Sequence, residues 1–144
     1  MRTQQRIDTE TAATLVLRAI EQLTVGGEYA KRREIAEWTG LTIGNVQKAL
    51  DYIRDRAAET EGVMYISQLG PNGGVALTSD VDRAEVYCRM QARIAATRMR
   101  RIHTGTIRQM VASASPMQKH AALAIEINAK RLIEDMERFS VAAV

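Results

Sequence analysis

The stretch of sequence that decides the fold is Ile35–Ile53, which reads IAEWTGLTIGNVQKALDYI. It predicts a short helix, a tight turn at Gly40 and a second helix that begins at Thr42. Glycine suits the turn because it adopts, without steric cost, the left-handed backbone conformation that ends a helix. We expect Leu41 to fill the corner between the helices. The hydroxyl of Thr42 should cap the second helix by accepting one of its free amides.

The second helix, at about residues 42–56, is predicted to be amphipathic. One face repeats apolar residues at helical spacing and should point into the core. Its members are Ile43, Val46, Leu50 and Ile53. The opposite face and its flanks are polar, and they carry Gly44, Lys48, Asp51 and Asp55, with Asn45, Gln47 and Tyr52 beside them. Such a helix buries one side and leaves the other free for a ligand.

Elements that can complete this core lie before and after the stretch. A helix is predicted at about residues 8–24. Its inward-facing residues are Ala12, Val16, Ala19, Ile20 and Leu23. Residues 63–69 and 75–78 are rich in β-branched and aromatic residues, and the turn residues GPNGG at 70–74 separate them. This second pattern predicts a β-hairpin.

The order helix, helix–turn–helix and hairpin resembles the winged helix-turn-helix of bacterial transcription regulators, over about residues 9–79. Within the central stretch the matching positions are Ile35-Ala36, Gly40-Leu41, Thr42, Asn45-Val46 and Ala49-Leu50. The resemblance implies a mainly α fold with a small β-hairpin, whose second helix enters the DNA major groove. It also implies a DNA-binding domain at residues 1–79, followed by a helical region at residues 80–144.

The GPNGG tip followed by a helix is similar to the wing of iron–sulfur-sensing regulators of the IscR type. Those regulators hold a cluster with three cysteines just beyond the wing, whereas this chain has one cysteine, Cys88. We therefore expect no cofactor and no metal, and we expect Cys88 to be a small buried hydrophobe. A second similarity is to winged-helix proteins of phages, in which an Arg-rich helix follows the wing.

A long helix is predicted from Val81 to about His103, with a bend at Gly105 if it continues. Its apolar row is Ala84, Cys88, Ala92, Ala95, Met99 and Ile102. A basic row runs beside it and contains Arg89, Arg93 and Arg100, with Arg83, Arg98, Arg101 and Arg108 next to them.

Charge is distributed unevenly along the chain. Residues 1–82 hold nine basic against twelve acidic residues, a balance of −3, whereas residues 83–111 hold seven arginines against Glu85. A basic stripe of this density is typical of a phosphate-binding surface. Three interpretations of it stay open. The row of Arg89, Arg93 and Arg100 is an accessory contact to the DNA backbone, it pairs with the acidic face of the winged domain, or it binds RNA or another polyanion.

The segment Ser113–Pro116 predicts a break, because Ser115 can cap a helix whose first position Pro116 occupies. The last helix should run to about Phe139. Its apolar residues alternate three and four apart, as in a coiled coil. They are Ala122, Ile125, Ala129, Leu132, Met136 and Phe139. We expect a homodimer whose two-fold symmetry matches paired DNA half-sites. The expected dimer contacts are Ile125, Ala129, Leu132, Met136 and Phe139. The alternative is a helical hairpin within one chain.

These elements predict a regulator of transcription, expected to be a repressor, that binds double-stranded DNA. The expected DNA contacts are Arg32, Arg33, Thr42, Gly44, Asn45, Gln47, Lys48 and, at the wing tip, Asn72. Asn45 or Gln47 can read adenine in a bidentate pair, and Lys48 can read guanine or hold a phosphate. Arg32 and Arg33 have a second interpretation, as a solvated edge beside nearby glutamates.

The alternative function is a winged-helix adaptor whose acidic surface binds a protein partner, such as a polymerase or a replication factor. The sequence contains no phosphate loop, dinucleotide fingerprint or nucleophile elbow, and His103 and His120 are expected on helix surfaces, so we expect no enzyme. A single cysteine and the lack of a long apolar run predict a cytoplasmic protein that does not bind membranes. The resemblance to winged-helix regulators implies a bacterial or phage origin.

Overall fold

A computed structural model describes residues 7–59, 63–68 and 73–141 of the chain. The fold is mainly helical with a small antiparallel sheet of three strands, so the predicted fold class is confirmed at this level. The chain divides into two compact units, Met1–Ala84 and Glu85–Val144. Within the described ranges, none of the helices combines the length and the apolar character that crossing a bilayer requires.

In chain order the elements are α1 (Thr9–Leu23), β1 (Ala30–Lys31), α2 (Arg32–Thr39), α3 (Ile43–Arg56), a 3-10 turn (Ala57–Glu59), β2 (Met64–Ser67), β3 (Gly74–Thr78), α4 (Val81–Ile102), a π-helical turn (His103–Ile107), α5 (Arg108–Ser113) and α6 (Pro116–Ser140).

The core of the first unit forms where α1 packs against α2 and α3. Val16 and Ile20 of α1 are fully buried, as are Ile35 of α2 and Val46 and Leu50 of α3. Each such side chain contributes about 1.5–3 kcal/mol relative to its exposed state. The predicted inner face of α1 is confirmed, because four of its five residues are buried and Leu23 is partly buried against the same core.

The turn between α2 and α3 has the predicted local structure. Gly40 takes the left-handed conformation, with φ of 75° and ψ of 8°, and Leu41 beside it is buried. The Thr42 hydroxyl accepts a hydrogen bond from the backbone N–H of Asn45 at 3.2 Å. The predicted apolar face of α3 is wrong at one position, since Ile43 is 59% exposed. Ala49 is buried instead, so the buried face of α3 begins at Val46 and does not include the first helical turn.

The sheet contains one strand that the sequence pattern did not predict. The strand order is β1-β3-β2, so the two-residue β1 pairs with β3, which also pairs with β2. Gly74, predicted as a turn residue, belongs to β3 and lies opposite Lys31. A Cβ atom at Gly74 would lie 2.7 Å from the carbonyl oxygen of Ala30. Only glycine therefore lets β1 approach this closely.

The second unit is a helical hairpin. The long helix α4 continues through the π-helical turn into α5, and Gly105 lies in that turn, where a bend was predicted. The predicted break before Pro116 is confirmed, and the Gln118 side chain accepts a hydrogen bond from the Ser115 N–H at 3.2 Å. The helix α6 then folds back along α4, as its contacts described below show.

Three predictions about the buried face of α4 are wrong. Cys88, expected to be buried, is exposed, and so are Ala95 and Ile102 of the predicted apolar row. His103, expected on the surface, is only 8% exposed. The buried residues of α4 are Ala84, Ala92 and Ala96, and those of the following turn are His103 and Ile107. The reason is that α6 contacts Arg89 and His103, and each of these follows a residue of the predicted row by one position.

Candidate nucleic-acid interface

The orientation of α3 is fixed by hydrogen bonds in the turn that precedes it. The Thr39 hydroxyl donates to the carbonyl oxygen of Ile35 at 2.7 Å and accepts from the N–H of Leu41 at 3.3 Å. The N–H of Gly40 donates to the carbonyl oxygen of Ala36 at 2.9 Å. These bonds satisfy backbone groups at the end of α2, and the Thr42 cap satisfies one at the start of α3.

The N-terminal half of α3 presents an open polar face. Thr42, Gly44 and Lys48 are exposed, and Asn45 and Gln47 are half-buried on its flanks. No atom outside the helix backbone lies within 4 Å of the position of a Cβ at Gly44. Lys48 makes no ion pair with any described residue. The structure therefore brings together five of the residues predicted to contact DNA.

The two aspartates on this face are compensated within α3. Arg54 lies 3.5 Å from a carboxylate oxygen of Asp51 and 3.5 Å from one of Asp55. The Gln47 side chain donates to Asp51 at 2.9 Å. Such exposed pairs contribute little stability, but they offset the negative charge where α3 would meet phosphates. They also engage Gln47, so Asn45 is the freer of the two amides.

Arg32 and Arg33 lie in the first turn of α2, and both are exposed. Neither makes an ion pair among the described residues, although Glu34 is next to them in the sequence. A basic first turn opposes the helix dipole, so an external anion would stabilise it. Asn72, the predicted contact at the wing tip, lies outside the residues that the structure describes.

The basic row of α4 is partly neutralised, at one position within α4 and at another by α6. Arg89 pairs with Glu85, one turn earlier on α4, and its side chain is 22% exposed. Arg100 pairs with Glu137. Arg93 is exposed and makes no ion pair within the described ranges, and the same holds for Arg98, Arg101 and Arg108. Counting charges along α4 alone missed this compensation, because Glu137 is 37 positions away from Arg100.

His103 is a polar group that the sequence pattern did not single out for the interior. Its Nε2 atom is buried and lies 3.4 Å from a carboxylate oxygen of Glu126, outside hydrogen-bond geometry. Lys130 lies 3.7 Å from the other oxygen of the same carboxylate. The π-helical turn that begins at His103 keeps it facing α6. The arrangement is a structural contact inside the hairpin.

No protein-family model, no characterised protein and no solved structure matches this chain. The function is therefore argued from the residues of the candidate interface.

Proposed function

We propose that this protein is a sequence-specific DNA-binding regulator of transcription, that its first unit is a winged helix-turn-helix, and that α3 is the recognition helix. The observation that carries the proposal is the open face of α3. Thr42, Gly44 and Lys48 are exposed there, at a helix N-terminus without acidic residues in its first turn. The corner at Gly40 and the buried inner face of α3 hold this face rigidly, as base contacts demand.

The proposed contacts follow from what each exposed group can recognise. Asn45 pairs with adenine, and Lys48 reads guanine or holds a phosphate. Ile43, which the sequence pattern placed in the core, is available for a thymine methyl group. Arg32 and Arg33 bind the sugar-phosphate backbone and set the register, as phosphate contacts do in other complexes.

The proposal includes a homodimer that acts as a cytoplasmic repressor, without catalytic activity. Two copies related by a two-fold axis present two recognition helices to two half-sites. Such symmetry raises affinity without further contacts from each copy, because the second half-site binds intramolecularly. Contacts between the two copies are made by exposed apolar residues of α6, which are Ile125, Leu132 and Phe139.

The alternative is a protein-interaction adaptor, and one observation favours it. Trp38 is 48% exposed and Ile43 is 59% exposed, on either side of the turn at Gly40. Tryptophan is typical of protein–protein interfaces, whereas proteins rarely place it in a DNA groove. An adaptor would bind a protein partner through this turn and show no affinity for duplex DNA.

A band shift with the DNA upstream of the gene tests the proposal. We expect retardation at low salt, with log K falling at a slope of about −0.9 per neutralised phosphate as salt rises. Asn45→Ala should lose sequence preference, and Lys48→Ala should weaken binding by about 1–3 kcal/mol. The matched control is Arg18→Ala, which removes one positive charge from an exposed site of α1. Equal binding by wild type and Lys48→Ala would exclude the proposed role of α3.

A further inference from the structure

The two long helices of the second unit run antiparallel. Arg89, early in α4, donates to the carbonyl oxygens of Phe139 and Val141 at the end of α6, at 3.0 Å and 3.3 Å. His103, just past the end of α4, lies beside Glu126, which is nearer the start of α6. The contact nearer the start of α4 is therefore made with the end of α6, and the contact just past the end of α4 is made nearer the start of α6.

The seam of this hairpin has the seven-residue spacing of a coiled coil. On α4 and the following turn it contains Arg89, Ala92, Ala96, Met99 and His103. On α6 it contains Ala122, Glu126, Ala129, Ile133, Met136 and Ser140. All of these residues are buried or half-buried. Two such rows on each helix are what a two-stranded antiparallel pair uses.

A third apolar row lies on each helix and stays exposed in the hairpin, although the ring of its last member, Phe139, also lies 5.6 Å from the guanidinium of Arg89. The row is Cys88, Ala95 and Ile102 on α4, and Ile125, Leu132 and Phe139 on α6. All six residues are exposed, and each immediately precedes a seam residue. Neighbouring residues are about 100° apart around a helix. Because the two helices are antiparallel, residues one position before the seam lie on the same side of it on both helices. We name this side, with its six residues, the apolar side.

The other side of the seam is mostly charged. Arg93 and Arg100 of α4 and Lys130 and Glu137 of α6 lie there, and Arg100 pairs with Glu137. Two apolar residues are also exposed on this side, Val86 of α4 and Leu123 of α6. One flat side of the hairpin is therefore largely apolar and the other is largely charged. A pair of helices that stays alone in water does not require an exposed apolar side.

We propose that the apolar side is the self-association surface of this protein, where the hairpin of a second copy completes a four-helix bundle. Helices that face the core of a bundle carry apolar residues on three of every seven positions, whereas a two-helix seam needs two. Both helices carry the third row, so the surface can pair with itself through a two-fold axis, as closed dimers do.

Side-chain size indicates how the two copies pack. The row on α4 has small residues at Cys88 and Ala95, and the row on α6 has large ones at Ile125, Leu132 and Phe139. When α6 of one copy lies on α4 of the other, large residues fit against small ones. A two-fold axis along the hairpin creates this contact twice.

Charges at the border of the apolar side agree with this packing. Arg98 follows Ala95 by three positions, and Asp135 follows Leu132 by three, so each borders the row on its own helix. Both are exposed and without an ion pair in the part of the chain that is described. With α4 on α6 of the second copy, Arg98 of one copy lies at the same edge as Asp135 of the other. The pair disfavours the rival arrangement, in which α4 lies on α4.

The area of the apolar side suits a reversible dimer. Each of its rows covers 15 residues, or about 21 Å, and two packed helices are about 20 Å wide, so the side offers roughly 400 Å² per copy. The total of roughly 800 Å² is typical of weak, transient interfaces. At the closed end the side continues into a groove of about 360 Å³ lined by Met110, Ala114, Ala121 and Ile125.

The inference rests on the proposed function for the role of the dimer, and it changes two expected contacts. Ala129 and Met136 were expected in the dimer interface, but Ala129 is buried and Met136 half-buried in the seam of their own hairpin. Cys88 and Ile102, on the other helix, take part instead. The tests below use no DNA, so their failure is distinguishable from the failure of α3 to bind an operator.

Sedimentation velocity on the full chain, at about 1–100 μM, gives the first test. Leu132→Lys should weaken self-association by about 100-fold, as for a buried hot-spot residue. The matched control is Leu123→Lys, because both leucines are on α6 and both are 40% exposed. The control should change the dissociation constant by less than about threefold. Equal effects of the two variants, or a wild type that stays monomeric at 100 μM, would overturn the proposal.

The reactivity of Cys88 toward a chromogenic disulfide gives a second test, which needs no altered protein. The thiol is exposed in the single chain, and dimer formation should cover it. Its modification rate should fall by about tenfold or more as concentration rises and the free-monomer fraction falls. A wild type that dimerises while Cys88 keeps its monomer rate would place the interface elsewhere and refute the inference.

Discussion

The guanidinium of Arg89 donates a hydrogen bond to the carbonyl oxygen of Phe139, 3.0 Å away on the opposite helix. The last carbonyl groups of a helix have no partners within the helix, so Arg89 caps α6 from across the hairpin. The same group lies 5.6 Å from the centre of the Phe139 ring and pairs with Glu85. A residue for which a contact to DNA phosphates was one of three interpretations is thus engaged in holding the hairpin closed.

Arg89→Ala should destabilise the second unit by about 1–2 kcal/mol, since it removes charge-assisted bonds from a partly exposed site. Arg93→Ala removes the same charge one turn away, from an exposed side chain without an ion pair in the described residues. It should change stability by less than about 0.5 kcal/mol. Urea denaturation monitored by circular dichroism measures both values. Equal destabilisation by the two variants would contradict the assigned role of Arg89.

Gly74→Ala should destabilise the first unit by about 1–3 kcal/mol, because its Cβ would overlap the Ala30 carbonyl group and force β1 away from β3. Gly26→Ala is the control, since a Cβ there would make only ordinary contacts, with Glu28 at 3.6 Å. Thermal unfolding of the two variants gives the comparison. If Gly74→Ala melts with the wild type, then β1 does not pair with β3 as described.

Gly40→Ala should cost about 1 kcal/mol, because its φ of 75° is unfavourable for a residue with a Cβ atom. Gly40→Asn should cost less, since asparagine tolerates this conformation better than alanine does. Crowding does not distinguish the two variants, because no atom of a described residue other than Gly40 and its two chain neighbours lies within 4 Å of the Cβ position. Free energies of unfolding from urea titrations decide the order. An alanine variant as stable as the asparagine variant would show that the turn adopts a different backbone.

Local signals in the sequence predicted the parts of the fold that depend on neighbouring residues. The turn at Gly40, the cap at Thr42 and the break before Pro116 each follow from the conformational preferences of one or two residues. The bounds of α1 and α3 follow equally well, because apolar spacing within a helix is a property of the segment itself.

What the sequence alone determined about this protein is the positions of α1, α3 and α6, the cap at Thr42, the break before Pro116 and the polar character of the exposed face of α3. Only the tertiary structure decided the pairing of β1 with β3, the burial of His103, the exposure of Cys88 and the engagement of Arg89 and Arg100. The physical reason is separation along the chain. Each of these features depends on a contact partner tens of residues away. The spacing of residues within one helix does not indicate which of its apolar or basic rows that partner covers.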